Sequence, residues 1–271
     1  MKETKDLNRP TALFVSHGGG PLPLLGDKGH TELVEGLKDI ASQIPKPSTI
    51  LVVSAHWEEA RPTLTHGAMP SLIYDYNGFP KSSYEIEYPA PGHPQLAEKI
   101  YSKLRDKGGH AALDNQRGFD HGLFVPLKIM YPEADIPCVQ MSLMNSLDPK
   151  THIEIGQALS GLNEEGLLII GSGFSFHNMS AFFTANSDET NLLNQSFEDW
   201  LIDTCSNKKI SETERTRRLQ NWSEAPGARY CHPREEHLLP LHVCYGVAKK
   251  PCDNFIEHEI LGKKSSAYLW R

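Results

Sequence analysis

The chain has 271 residues, of which 39% are hydrophobic and 23% charged, and its formal net charge is -7. This length and this balance predict one globular domain over residues 1–271 with a single main core. They exclude a general affinity for nucleic acid, which needs dense Lys/Arg patches, and no apolar run is long enough to span a membrane.

Short apolar runs bounded by Gly, Ser or Pro alternate along the chain with segments of helical periodicity. This alternation predicts an α/β fold with a central, largely parallel or mixed sheet flanked by helices. In such folds, ligands bind outside the carboxyl ends of the strands. In chain order the predicted elements are strand 12–16, helix 31–43, strand 50–55, helix 94–107, helix 123–131, strand 136–143, helix 149–163, strand 167–171 and a helical region over 189–222.

Two further segments are less regular. Residues 74–92 are rich in aromatic residues, Gly and Pro and lack periodicity, which predicts an ordered loop over a cleft. The aromatic rings of this loop either wall a flat ligand or pack as an ordinary surface loop. Later in the chain, Pro233 suits the first turn of a helix, and Pro240 should bend that helix or leave it irregular.

Three histidines follow the apolar runs at the points where buried strands would end. His17 follows run 12–15, His56 follows run 50–53, and His177 comes shortly after run 167–170. Imidazoles delivered to one rim of a sheet would form a mononuclear metal site. His17 also precedes three glycines, where the backbone can approach a ligand closely.

Other histidines are candidates for chemistry. His121 lies in a polar Gly-rich loop and is a candidate catalytic base or substrate donor, and a neutral His177 could accept a proton. His237 and His232 compete as a later metal ligand, and we favour His237 because we expect it to project from the early part of a helix. The contexts of the remaining histidines predict structural roles: His30, His66, His93, His110, His152, His242 and His258.

The glycine-rich loop after His17 also invites two other interpretations. A His-Gly-Gly-Gly sequence occurs in the oxyanion loop of some lipases, but the Gly-x-Ser-x-Gly elbow that they need is absent. Residues Gly18, Gly19 and Gly20 fit neither the GxGxxG nor the GxxxxGK[ST] spacing of phosphate loops.

The compartment is predicted from the N-terminus and the cysteines. Residues 1–6 are charged and lack the apolar core of a secretory signal. The five cysteines are scattered and odd in number, with no CxxC pair, which favours reduced thiols in a cytoplasmic protein. No pattern in the chain specifies an oligomeric state.

Six short motifs, spread in order from about residue 12 to residue 248, resemble those of the DOPA 4,5-dioxygenases. This family belongs to the class III extradiol ring-cleaving dioxygenases and is related to the catalytic subunit of protocatechuate 4,5-dioxygenase. The motifs are Ser16–Pro21 (SHGGGP), Ser54–Trp57 (SAHW), Tyr88–Gly92 (YPAPG), Gly118–Gly122 (GFDHG), His177–Asn178 and Glu236–Leu241 (EHLLPL).

The resemblance implies a role for five histidines. His17 and His56 become metal ligands, and His237 stands where the protocatechuate enzyme has a glutamate ligand. His177 matches the active-site acid/base, close enough to the metal to be an alternative fourth ligand. His121 matches the histidine that contacts substrate oxygens.

The implied activity is cleavage of a DOPA-like catechol by O2, beside rather than between its hydroxyls, to a muconic semialdehyde. Fe(II) is the metal expected for this activity, and Zn(II) is an alternative occupant because a site of three neutral nitrogens suits both. Two other interpretations stay open at this point. One is a zinc-dependent hydrolase that uses the same histidines to activate water, and the other is a non-enzymatic binding protein of the same fold.

Overall fold

A computed structural model describes residues 10–106 and 110–271. The charged stretch 1–6 and the last residue of the predicted helix 94–107 lie outside these ranges. Within them, no helix is both long and apolar enough to cross a membrane. All five cysteines are buried free thiols.

Eight strands of the described residues form one mixed sheet: β1 (Thr11–Ser16), β2 (Thr49–Glu59), β3 (Thr63–Thr65), β4 (Ala112–Asp114), β5 (Cys138–Met144), β6 (Leu167–Gly173), β7 (Asn254–Ile260) and β8 (Lys263–Trp270). Their order in the sheet is β4-β3-β5-β2-β6-β1-β8-β7. The four central strands β5, β2, β6 and β1 are parallel, whereas β3 and β8 run antiparallel to their central neighbours. The predicted α/β fold with a mixed central sheet is therefore confirmed.

Helices cover both faces of this sheet. Successive residues of β1 belong to different cores, since Leu13 and Val15 pack in one and Ala12 and Phe14 in the other. A strand buried on both faces reads as a continuous apolar run, which explains why the central strands were predictable. The helices are α1 (Thr31–Ser42), α2 (Pro94–Asp106), α3 (His121–Met130), α4 (Pro149–Leu159), α5 (Met179–Phe182), α6 (Asp188–Ser206), α7 (Glu212–Gln220), α8 (Ala228–Cys231) and α9 (Leu239–Ala248).

The helix predicted from Pro233 is wrong. Residues 233–238 form bends and turns, and α9 begins only at Leu239, with Pro240 in its first turn. Pro240 lacks a backbone N–H and is favoured at a helix start for that reason, so it begins this helix instead of bending it. His237 therefore projects from a turn before the helix.

The helical region predicted over 189–222 is divided in two. Helix α6 ends at Ser206 and α7 begins at Glu212, with Ser211 capping α7 by accepting from the N–H of Glu214. The break is held by Arg215, whose buried guanidinium donates to the main-chain carbonyls of Thr204 and Asn207.

Candidate metal centre

The three adjacent strands β2, β6 and β1 present their carboxyl ends side by side. His17 follows the last residue of β1, and His177 lies four residues beyond the end of β6. The hydrogen bond from His17 N to Gly173 O, 3.0 Å long, continues the pairing of the two strands past Ser16. The predicted position of the site at the carboxyl ends of the strands is confirmed.

His56 reaches the same rim by a different route. The prediction that a strand ends at His56 is wrong, because β2 continues to Glu59. Its pairing with β5 is interrupted between Ser54 and Glu58, where the register shifts. Such an irregularity re-aims a side chain that regular alternation would place elsewhere. His56 lies inside this interruption.

The glycine loop after His17 is held by a histidine that was predicted to be structural. Gly18 has a φ of 83°, and a Cβ there would lie 2.7 Å from Pro23 and 2.8 Å from His30. His30 is fully buried, and its Nε2 accepts a 3.0 Å hydrogen bond from Gly19 N. The loop can therefore turn sharply only because residue 18 carries no side chain.

The Nε2 atoms of the three histidines predicted as ligands converge. His56 Nε2 lies 3.0 Å from His17 Nε2 and 3.3 Å from His237 Nε2. Two nitrogens that are each about 2.1 Å from one metal are about 3.0–3.4 Å apart when the angle between the bonds is 90–109°. The spacing of these atoms is that of neighbouring ligands around one ion.

Each of these three rings turns its Nδ1 atom away from the others and toward a polar partner. Metal-bound histidines are normally held in this way, because a partner at one nitrogen fixes the lone pair on the other. Ser172 Oγ in turn donates to the carbonyl of Gly122. The partners are Ser172 Oγ at 3.0 Å from His17, Glu236 Oε1 at 3.0 Å from His237 and Asp75 Oδ2 at 3.6 Å from His56.

The chemistry of this donor set fits a cation. With Nδ1 as the protonated nitrogen, three Nε2 lone pairs face one another, an arrangement that a shared positive ion stabilises. Burial, followed by the charges of the neighbouring imidazoles, holds the pKa values of His17 and His237 well below their usual range. Burial likewise lowers the pKa of His56. Neutral imidazoles are the form that binds metals.

His121 lies beside this set at the start of α3. Its ring centroid is 3.9 Å from that of His56 and 5.3 Å from that of His17. Helix α3 comes this close to β2 because residue 122 is a glycine, where a Cβ would lie only 2.5 Å from Ser54 Oγ. The aromatic loop also reaches the site, since the ring centroid of Tyr76 is 5.7 Å from that of His121.

His177 is stacked on His237, with ring centroids 3.4 Å apart and planes inclined by 15°. Its side chain is 19% exposed, compared with 6% for that of His237, so it lies on the open side of the site. His232, the competing ligand, is excluded from this rim, because it is fully buried with Nε2 2.6 Å from the carbonyl of Ser175.

Three side chains at the site were not singled out as functional from the sequence. Asp75 lies in the aromatic loop 74–92, Glu236 opens the motif Glu236–Leu241, and Ser172 lies near the carboxyl end of β6. For Glu236 a signal was available, since it is adjacent to His237 in sequence. For Asp75 none was, because it lies 46 residues from His121, whose main-chain N–H it accepts.

Comparisons with known proteins agree with this geometry. Residues 11–268 match the family model of the catalytic LigB subunit of aromatic ring-opening dioxygenase. The chain is 39% identical to the dioxygenase tasH of Hapsidospora irregularis, over 95% of this chain and 84% of that protein. It is 38% identical to the 4,5-DOPA dioxygenase extradiol of Beta vulgaris, over 89% of this chain and 88% of that protein.

A solved structure has the same fold. The crystal structure of the uncharacterized protein JW3007 from Escherichia coli K12 matches with a TM-score of 0.77 and 28% identity, covering 97% of this chain and all of that one. Together, the family match over nearly the whole chain, the relatives and the histidine cluster favour an enzyme over a binding protein. The chain belongs to the LigB family of aromatic ring-opening dioxygenases and is an extradiol dioxygenase.

Proposed function

We propose that this enzyme is a non-haem Fe(II)-dependent extradiol dioxygenase that opens the ring of a DOPA-like catechol with O2 to a muconic semialdehyde. The observation that carries the proposal is the convergence of three Nε2 atoms, each on a ring whose Nδ1 faces a polar partner, in a chain of the LigB family. The name of the Beta vulgaris relative, 4,5-DOPA dioxygenase extradiol, supports the choice of substrate.

His17, His56 and His237 would hold the metal, all through Nε2. When bound, Fe(II) supplies the redox chemistry that lets triplet O2 react with a closed-shell catechol, and its charge lowers the pKa of the catechol hydroxyls. Three protein ligands leave coordination positions free for substrate, which favours an acid/base role for His177 over the alternative of a fourth ligand.

His177 is the proposed acid/base. The Glu236 carboxylate lies 3.1 Å from its Nδ1, so the ring can accept a catechol proton at Nε2 and return it later in the reaction. Its partly exposed position on the open side of the site supports this role, because a catechol can approach it there.

His121 is proposed to orient a substrate oxygen by hydrogen bonding. Asp75 Oδ1 lies 2.8 Å from its Nδ1 and also accepts its main-chain N–H, so the ring is fixed from two directions. The nearby ring of Tyr76 offers an apolar wall for the flat substrate. Its hydroxyl donates to the carbonyl of Ser83, which holds the ring in place.

Other features support the remaining parts of the prediction. The five buried free thiols support a cytoplasmic location. The net charge of -7 supports small-molecule substrates, a catechol and O2, over nucleic acid.

The test is reconstitution of metal-free protein with Fe(II) under anaerobic conditions, followed by oxygen and a panel of DOPA, caffeate, protocatechuate and gallate. We expect O2 uptake and a yellow product with DOPA, and neither with Zn(II) in place of Fe(II). If the Fe(II)-loaded protein consumed no O2 with any catechol, the proposed activity would be wrong.

A further inference from the structure

Two carboxylates at the site each face a pair of histidines. Glu236 Oε1 lies 3.0 Å from Nδ1 of His237 and 3.1 Å from Nδ1 of His177. The two rings are stacked and nearly parallel, so the Nδ1 atoms of both lie against the same oxygen, with a hydrogen bond to His237 and an ion-pair contact to His177. The other oxygen, Oε2, lies 3.3 Å from the guanidinium of Arg234.

Arg234 is itself fixed on the outer side of the site. Its two terminal nitrogens lie 2.6 and 2.7 Å from the two oxygens of Glu58, a bidentate pair. Bidentate pairs of this kind restrict the orientation of both partners. Glu236 is therefore positioned from outside by Arg234 and acts on two imidazoles inside.

Asp75 is the second carboxylate that faces two histidines, and its contacts with the two differ in length. Its Oδ1 lies 2.8 Å from His121 Nδ1 and 3.0 Å from His121 N, whereas its Oδ2 lies 3.6 Å from His56 Nδ1. Both donors of His121 therefore fall on one oxygen at hydrogen-bond distance. The interaction with His56 is a longer charge contact.

In these contacts both carboxylates face ring Nδ1 atoms and are placed as acceptors. The Glu236 oxygen that accepts from His237 also lies against Nδ1 of His177, and the Asp75 oxygen that contacts His121 is shared by a ring and a main-chain N–H. An ionised carboxylate only accepts, so a neutral partner ring carries its proton on Nδ1 and its lone pair on Nε2. That tautomer is the one that a ligand or a base at the site needs.

We propose that Glu236 and Asp75 are positioning residues with different roles, an inference that rests on the proposed function. Glu236 holds the ligand His237 and the acid/base His177 together, whereas Asp75 serves mainly His121. Loss of Glu236 should therefore lower both the affinity for the metal and the turnover number. Loss of Asp75 should lower the turnover number while the metal stays bound.

The test compares Glu236→Gln and Asp75→Asn with the wild-type protein and with Glu98→Gln. Glu98 is the matched control, because its carboxylate also contacts a histidine, with 3.1 Å between Oε1 and His66 Nε2, but at the surface. The dissociation constant of Zn(II) is measured by competition with a chelator. Turnover of the Fe(II)-loaded proteins is measured with DOPA.

We expect Glu236→Gln to weaken zinc binding by about 10–100-fold, the usual effect of removing an outer partner of a ligand histidine. Asp75→Asn should change it less than about threefold, yet lower kcat by on the order of a hundredfold, with a smaller change in KM. Glu98→Gln should change neither quantity.

A further readout separates this proposal from the activity itself. Nitrogen-15 spectra of the zinc-loaded protein report which ring nitrogen of each histidine is protonated. In wild type, His121 and His177 should be Nδ1–H tautomers, and each variant should lose that preference only at its own partner. Unchanged tautomers and unchanged zinc affinity in Glu236→Gln would overturn the proposal even if wild type cleaved DOPA.

The zinc and tautomer measurements also decide the proposal if wild type cleaved no catechol at all. Should Glu236→Gln fail to fold, Glu236→Asp keeps the charge but withdraws the oxygen by one methylene. The same weakening of zinc binding is then expected, and wild-type affinity in that variant would count against the proposal.

Discussion

Two kinds of histidine in this protein use their ring nitrogens in opposite ways. In α4, His152 Nδ1 lies 2.7 Å from the carbonyl of Asp148, and its Nε2 accepts a hydrogen bond from Met144 N. At the carboxyl ends of β1 and β2, by contrast, the Nε2 atoms of His17 and His56 face each other at 3.0 Å.

Burial does not separate these groups, since His17 and His152 are both almost completely inaccessible to solvent. Burial also lowers the pKa of both imidazoles. What separates them is the partner of the Nε2 lone pair, which is a main-chain N–H for His152 and other lone pairs for His17. Unshared lone pairs directed at one another, and not burial alone, mark the candidate metal centre.

Replacement of a converging histidine should have the largest effect. His17→Ala removes one of three proposed ligands, so we expect metal affinity to fall by more than about a hundredfold, beyond the loss typical of an outer partner. Metal content after dialysis measures this, and ring cleavage should disappear with the metal. Full metal content in the variant would contradict the ligand assignment of His17.

Replacement of His177 should separate metal binding from catalysis. In His177→Ala the three converging Nε2 atoms remain, so the metal should be retained, while turnover falls on the order of a hundredfold or more through loss of the proton acceptor. Metal analysis and O2 uptake on the same sample provide the two measurements. A loss of metal in parallel with activity would favour the fourth-ligand alternative.

A histidine of the other group should affect stability alone. His152→Ala leaves the half-buried N–H of Met144 without its acceptor, which should lower the free energy of unfolding by about 1–3 kcal/mol. Urea unfolding measures the change. The metal content should equal that of wild type, and any loss of metal would remove the distinction between the two groups.

The smallest expected effect concerns pH. Burial lowers the pKa of His258 to about 4, and neither ring nitrogen has a hydrogen-bond partner among the described residues. Below about pH 6.5 the unfolded chain binds a proton at this histidine that the folded chain does not, so stability is lost as the pH falls from about 6.5 toward about 4.

The comparison variant for this effect is His258→Leu, which cannot titrate at this position. Between about pH 7.5 and 5.5, the stability of wild type relative to the variant should fall by about 1 kcal/mol. Urea unfolding at both pH values tests it. If the difference in free energy of unfolding between the two proteins did not change with pH, His258 would have the same pKa in the folded and unfolded chains, which would contradict the prediction.

Continuous apolar runs were enough to predict the central strands of the sheet. The runs that became β1, β2 and β6 are apolar throughout, because helices cover both faces of those strands. The C-terminal hairpin of β7 and β8 was not predicted. Its turn is Leu261-Gly262, with φ values of 52° and 73°, and a leucine at the first of these positions carries no turn signal.

Local sequence gave wrong predictions where contacts between distant segments decide the geometry. Pro233 and Pro240 both suit a helix start, and only the packing of the chain shows that Pro240 is the residue so used. Likewise His56 follows an apolar run, but the break in pairing between Ser54 and Glu58 is a property of β2 and β5 together.

The sequence alone determined the fold class, the location of the site at the carboxyl ends of the strands, and the candidate histidines, because burial and strand ends leave local patterns. The tertiary structure decided which nitrogen of each ring faces the centre and which carboxylates hold it. Those contacts join residues as far apart as His17 and Ser172, or Asp75 and His121, and no local pattern encodes the distance between such pairs.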